Sequence, residues 1–137
     1  MNEVQVNNLE ELKQFCSEFS KTIQPGNVIC LTGDLGAGKT TFVQCICETL
    51  NINDNVTSPT FNIMLQYKND KVVINHFDLY RLEKPEELDD IAFYESVESK
   101  AITFIEWAEK FKDSMPDSAL WIKIEKKGSE SRLISVY

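Results

Sequence analysis

Apolar residues recur along this chain with two periods, and each period predicts a different element. Leu9, Leu12, Phe15, Phe19 and Ile23 are spaced by three and four. That is one stripe of a helix over NNLEELKQFCSEFSKTI, capped by Asn7 or Asn8 and ended by Pro25-Gly26. A short extended segment, VQV, precedes it. VICLT and AITFI are unbroken apolar runs of strand length, which predicts two buried strands. The segment from Lys39 to Leu50 reads as a helix that follows the first of them directly. FNIMLQY and KVVINHF, joined through Asn69-Asp70, predict an antiparallel hairpin. From Leu79 to Lys100 the pattern turns helical, with Pro85 where a first helical turn tolerates proline. ALWIKIEK and RLISVY alternate around Gly128-Ser129 as an edge hairpin does. Strands interleaved with helices predict an α/β fold: a mostly parallel central sheet, helices on its faces and antiparallel hairpins at its edges.

Composition narrows the picture. With 137 residues, 42% of them hydrophobic, the chain is long enough for one core, so residues 1–137 read as a single domain. No run approaches the roughly 20 apolar residues of a membrane span, and MNEVQVNNLEEL lacks the basic and apolar parts of an export signal. A cytoplasmic location without a membrane partner is expected. The formal net charge of -8, from 22 acidic against 14 basic residues, repels a phosphate backbone at long range. Autonomous binding to DNA or RNA is therefore disfavoured. Cys16, Cys30, Cys45 and Cys47 lie in apolar surroundings without the paired spacing of a zinc site, and read as buried or half-buried thiols.

The chemistry concentrates in the stretch GDLGAGKTT: Gly33, Asp34, Leu35, Gly36, Ala37, Gly38, Lys39, Thr40 and Thr41. It fits G-x-x-x-x-G-K-[ST] without mismatch, between a strand and a helix, which is the context a phosphate loop requires. The glycines let successive amides turn inward as an anion nest, and the new helix aims its unsatisfied N–H groups at the same point. Lys39 supplies a mobile charge for the outer phosphates, and the Thr40 hydroxyl a ligand for magnesium. The domain is thus expected to be P-loop NTPase-like.

Such a loop needs a carboxylate near its metal. Asp78 follows KVVINHF and Glu106 follows AITFI. If the segment between them is a crossover, both strands run parallel and both acids emerge at the sheet edge that carries the loop. One would hold magnesium and the other would orient the attacking water. The only histidine, His76, reads as a packed core residue, because no serine or cysteine nucleophile is paired with it. SPTF, which is Ser58, Pro59, Thr60 and Phe61, reads either as a strand-entry turn or as a switch-like loop.

GDLGAGKTT, SPTF, HFDLYRL followed by PEEL, and an apolar strand ending in Glu106-Trp107 occur in that order across essentially the entire chain. Together they resemble the TsaE (YjeE) family, small bacterial P-loop ATPases of tRNA threonylcarbamoyladenosine biosynthesis. The resemblance implies ATP and Mg2+ as cofactors, and TsaD and TsaB as protein partners, with tRNA reached only through that complex. It implies Thr40 and Glu106 as magnesium ligands, Gly36 to Thr41 around the phosphates, Lys39, Asp78 and Glu106 in catalysis, and 58–61 as the switch-like loop. NNLEEL lacks the threonine of the family pattern, so no adenine contact is assigned there.

Two other classes fit less well. A small-molecule kinase clamps its phosphates with several basic lid residues. Here only Arg81 and Arg132 are available, and the segment from Leu79 to Lys100 is acidic. A GTP switch calls for Asn-Lys-x-Asp, and that tetrapeptide does not occur.

Overall fold

A computed structural model of the chain describes residues 2–54, 56 and 63–137. In chain order the elements are β1 (Asn2–Val6), α1 (Leu9–Ser20), β2 (Val28–Thr32), α2 (Lys39–Thr49), β3 (Met64–Lys68), β4 (Val73–Asp78), α3 (Glu87–Asp90), α4 (Phe93–Val97), β5 (Ile102–Glu106), a 3-10 segment (Ala108–Ser114), β6 (Leu120–Lys126) and β7 (Arg132–Val136). They build one seven-stranded sheet in the order β1-β7-β6-β2-β5-β4-β3. β6, β2, β5 and β4 are parallel neighbours, whereas β1, β7 and β6 on one side and β3 and β4 on the other pair antiparallel.

The apolar runs VICLT and ITFIE occupy the middle of this sheet, and every residue of β2 and β5 is buried. Strand alternation divides them between two cores. Ile29, Leu31 and Phe104 face α1 and α2 in one cluster; Val28, Cys30 and Ile105 join Phe77, Leu88 and Phe93 in the other. Phe42 of α2 ties the first core together, its ring 6.2 Å from Phe15, 5.9 Å from Phe19 and 6.4 Å from Phe104. All four cysteines are free and buried: Cys16, Cys45 and Cys47 in the first core, Cys30 in the second.

The structure refines several sequence expectations. Asn8, not Asn7, caps α1, accepting from the Glu11 amide at 2.9 Å, and Glu11 in turn accepts from the Asn7 amide at 2.9 Å. The first bond satisfies one orphan donor of the helix start, and the second ties the chain just before the cap to the first turn. Leu9 heads the predicted stripe yet is 53% exposed, while Cys16 is the residue α1 buries completely. The region 79–100 holds two short helices, with Ala92 at φ 55 between them. The closing hairpin is not an outer edge, because β6 lies against β2 and β1 covers β7; alternation alone cannot reveal that the first strand returns to pair with the last. Among the described residues no helix is long and apolar enough to cross a membrane.

Because Phe42 is fully buried among three other rings, Phe42→Ala should cost about 3–5 kcal/mol. A urea denaturation curve measures it, and a loss below about 1 kcal/mol would contradict the packing described.

Candidate functional site

The loop between β2 and α2 is built by close approach and positive φ. Gly33 has φ 143, and a Cβ there would lie 2.4 Å from the Ile124 carbonyl oxygen of β6, so only glycine lets the chain leave β2 at this point. Gly36, φ 81, has nothing within 4 Å of an added Cβ, so its backbone borders open space. Gly38 precedes α2 at φ 107 and provides no side-chain cap. The first-turn amides of α2 therefore have no side-chain acceptor, which leaves a positive backbone end for an anion. From β7, Arg132 Nε donates to the Ala37 carbonyl at 2.7 Å and braces the loop.

Lysine is rarely buried, but Lys39 is only 5% exposed. Its ammonium donates to the Gly33 carbonyl at 2.5 Å and sits 3.9 Å from the centre of the Trp107 ring. The carbonyl and the aromatic face together replace part of its hydration. Burial lowers the Lys39 pKa from its ordinary value, against the opposing influence of Glu106, Glu109, Asp78 and Asp34. Trp107 reaches this position because it follows β5 in a left-handed conformation, φ 61, which turns the chain out of the sheet. Its ring lies 5.0 Å from that of Tyr80, and Lys110 fastens this wall by donating to the Tyr80 and Leu82 carbonyls at 2.5 and 2.6 Å.

The two acids meet as the parallel crossover predicts. β4 and β5 pair in register with Asp78 opposite Glu106, and both are 3% exposed. Thr40 Oγ1 donates to Glu106 Oε2 at 3.0 Å, joining the first turn of α2 to the end of β5. Asp78 Oδ1 accepts from the Tyr80 amide at 2.9 Å, so it also caps the turn after β4. Leu35, Gly36, Gly38, Lys39, Thr40, Thr41, Asp78, Glu106 and Trp107 line one groove. Gly33, Asp34 and Ala37 of the motif lie on its flank, and Leu35 is 78% exposed at the loop tip. Ser58, Pro59, Thr60 and Phe61 lie outside the described residues.

Sequence reasoning missed three residues here. His76 is buried as expected, yet it is bonded to the site: Nε2 lies 2.5 Å from Glu106 Oε2 and Nδ1 lies 3.0 Å from the Tyr67 hydroxyl. Its position two residues before Asp78, hence on the same face of β4, is the signal that points to it. Arg132 and Tyr67 leave no comparable local mark. A second groove, partly apolar, begins at Gly38 and Thr41 and runs between Val6, Leu12 and Ile134.

Comparison with known proteins matches this arrangement to a family. Residues 6–134 match the family model described as "Threonylcarbamoyl adenosine biosynthesis protein TsaE". The chain belongs to the TsaE family. A tRNA threonylcarbamoyladenosine biosynthesis protein TsaE of Rickettsia bellii is 36% identical over 132 residues, covering 96% of this chain and 91% of that protein. The protein of the same description from Bacillus subtilis is 36% identical over 128 residues, covering 93% of this chain and 80% of its own. The crystal structure of Bacillus subtilis YdiB superposes with a TM-score of 0.79 at 30% identity, over 98% of this chain and 83% of that one. This relationship extends through the mixed sheet, parallel at its centre and antiparallel at its edges, as well as the loop.

If the Trp107 ring shields the Lys39 ammonium, Trp107→Ala should raise the rate at which an amine-acylating reagent labels Lys39 severalfold. Peptide mass spectrometry reads that rate, and unchanged labelling would refute the shielding contact.

Proposed function

We propose that this protein binds ATP with magnesium and hydrolyses it in support of TsaB and TsaD, which threonylcarbamoylate the adenosine next to the anticodon of tRNA. The carrying observation is the 3.0 Å hydrogen bond from Thr40 to Glu106 at the head of the phosphate-loop helix. A hydroxyl and a carboxylate are hard oxygen donors of the kind magnesium takes, and two protein ligands suffice where phosphates and water complete the shell. That pair, with the open space at Gly36, fits the implied metal and nucleotide.

In this reading the amides from Gly36 to Thr41 hold the phosphates and Thr40 and Glu106 hold the metal. Lys39 exchanges the Gly33 carbonyl for the outer phosphates, a short reach for a four-carbon stem. When bound, magnesium neutralises charge on the transferring phosphoryl group. Asp78, opposite Glu106, orients the water that attacks, and the Trp107 wall limits bulk water. The apolar groove beyond Gly38 takes the nucleoside. Arg132 is engaged with the loop backbone, which disfavours the kinase reading because it cannot serve as a lid. The TsaE relatives support the tRNA-modification role, and the net charge of -8 favours a protein partner over direct contact with tRNA. The protein acts in the cytoplasm.

Lys39→Ala should lose a charge-assisted bond to phosphate of about 1.5–3 kcal/mol, roughly ten- to hundredfold in ATP affinity. Calorimetric titration checks it; undiminished affinity sinks the phosphate-loop assignment. Glu106→Ala should weaken magnesium-dependent ATP binding more than Asp78→Ala, while both depress turnover. Retained magnesium dependence in Glu106→Ala, with loss in Asp78→Ala, reverses the two roles. Hydrolysis should be slow for the protein alone and rise when TsaB, TsaD and tRNA are added, with weak tRNA binding by the isolated protein at physiological salt. Turnover indifferent to those partners would count against the coupling.

A further inference from the structure

A chain of polar side chains crosses three neighbouring strands on the α2 face of the sheet. It starts at Tyr67 on β3, passes through His76 on β4, reaches Glu106 at the end of β5 and closes on Thr40 in α2. Tyr67 is 3% exposed and His76 is fully buried. Leu65 is the residue directly opposite His76, so Tyr67 reaches the imidazole along the diagonal, with ring centres 5.8 Å apart. Such a line of buried polar groups is costly unless each member is satisfied, and here each finds the next.

The donor inventory sets the direction. An ionised carboxylate only accepts, so the proton between His76 and Glu106 belongs to Nε2. On the other side of the ring, the Tyr67 hydroxyl is hydrogen-bonded to Nδ1 at 3.0 Å and holds the ring plane. Glu106 Oε2 receives His76 and Thr40 together, while Oε1 accepts no hydrogen bond from the described residues. The carboxylate is pinned through one oxygen and presents the other.

We propose that His76, held by Tyr67, is the positioning residue for Glu106 and sets the magnesium affinity of the site from outside the coordination shell. This rests on the reading of Glu106 as a magnesium ligand. Residues that orient a ligand from behind change metal affinity by roughly ten- to a hundredfold when removed. A histidine needed only for packing would instead change stability and leave the metal requirement alone.

The test measures binding and needs no turnover. Titrating magnesium at fixed ATP gives the metal concentration for half-maximal nucleotide binding, and a thermal melt reports folding in parallel. His76→Leu, which keeps bulk and removes both nitrogens, should raise that midpoint roughly tenfold or more, with ATP affinity in excess chelator unchanged. His76→Gln, whose amide can donate from the Nε2 position, should restore most of the loss. Tyr67→Phe, which deletes one hydroxyl and retains the ring, should shift the midpoint in the same direction by less. Should His76→Leu fail to fold, the glutamine and phenylalanine variants carry the test. Unshifted midpoints in the folded variants, or equal shifts for leucine and glutamine, overturn the proposal while leaving the ATPase reading intact. Magnesium-independent ATP binding by the wild-type protein would instead overturn the metal assignment, and this proposal with it.

Discussion

The parallel hydrogen bonding of β4 to β5 brings two carboxylic acids, Asp78 and Glu106, side by side at the end of a sheet, where neither is more than slightly exposed. Two like charges so close and so buried repel unless something opposes them. Much of the surrounding structure supplies that opposition. The Thr40 hydroxyl and the His76 imidazole donate to Glu106, the Tyr80 amide donates to Asp78, and the buried Lys39 ammonium adds positive charge nearby. The glycine loop, the first turn of α2 and the turn after β4 are all arranged around this pair. In the function proposed above, a bound metal and its phosphates would answer the same electrostatic demand.

The parts that could be read in the sequence are those whose partners are close along the chain or follow from topology. Gly33 to Thr41 is one continuous stretch, and each residue's task follows from backbone angles and a helix end. Asp78 and Glu106 were legible because each closes an apolar run, and a right-handed crossover brings two such ends to one edge. The bond from His76 to Glu106 was not legible. Alternation assigns a face to each side chain, but only the register between strands says which residues on that face are neighbours. Tyr67 is one step further removed, since its contact is diagonal across a hairpin whose pairing had first to be known.

Lys39 shows a different limit. Its place in the motif puts it at the head of α2, beside the glycine loop, and general experience of lysine predicts exposure. Burial follows from Trp107, and that ring turns inward because one residue after β5 adopts positive φ. A backbone conformation of that kind, at a bulky residue, leaves no trace in hydropathy. The edge hairpin has the same explanation. β6 and β7 alternate like surface strands, yet β2 flanks β6 and β1 flanks β7, and the pairing of the first strand with the last is a long-range event that no local pattern encodes.

That pairing imposes an order on synthesis. Among the described residues β1 has β7 as its one neighbour in the sheet, and the Ala37 carbonyl of the glycine loop is held by Arg132, the first residue of β7. A chain emerging from the ribosome carries the complete GDLGAGKTT motif long before the strand that braces it exists. The contact that braces the loop therefore forms only once the two ends of the chain have met in the sheet. An incomplete chain holds the motif without its brace, so a chain stopped before β7 lacks the Arg132 contact to the glycine loop.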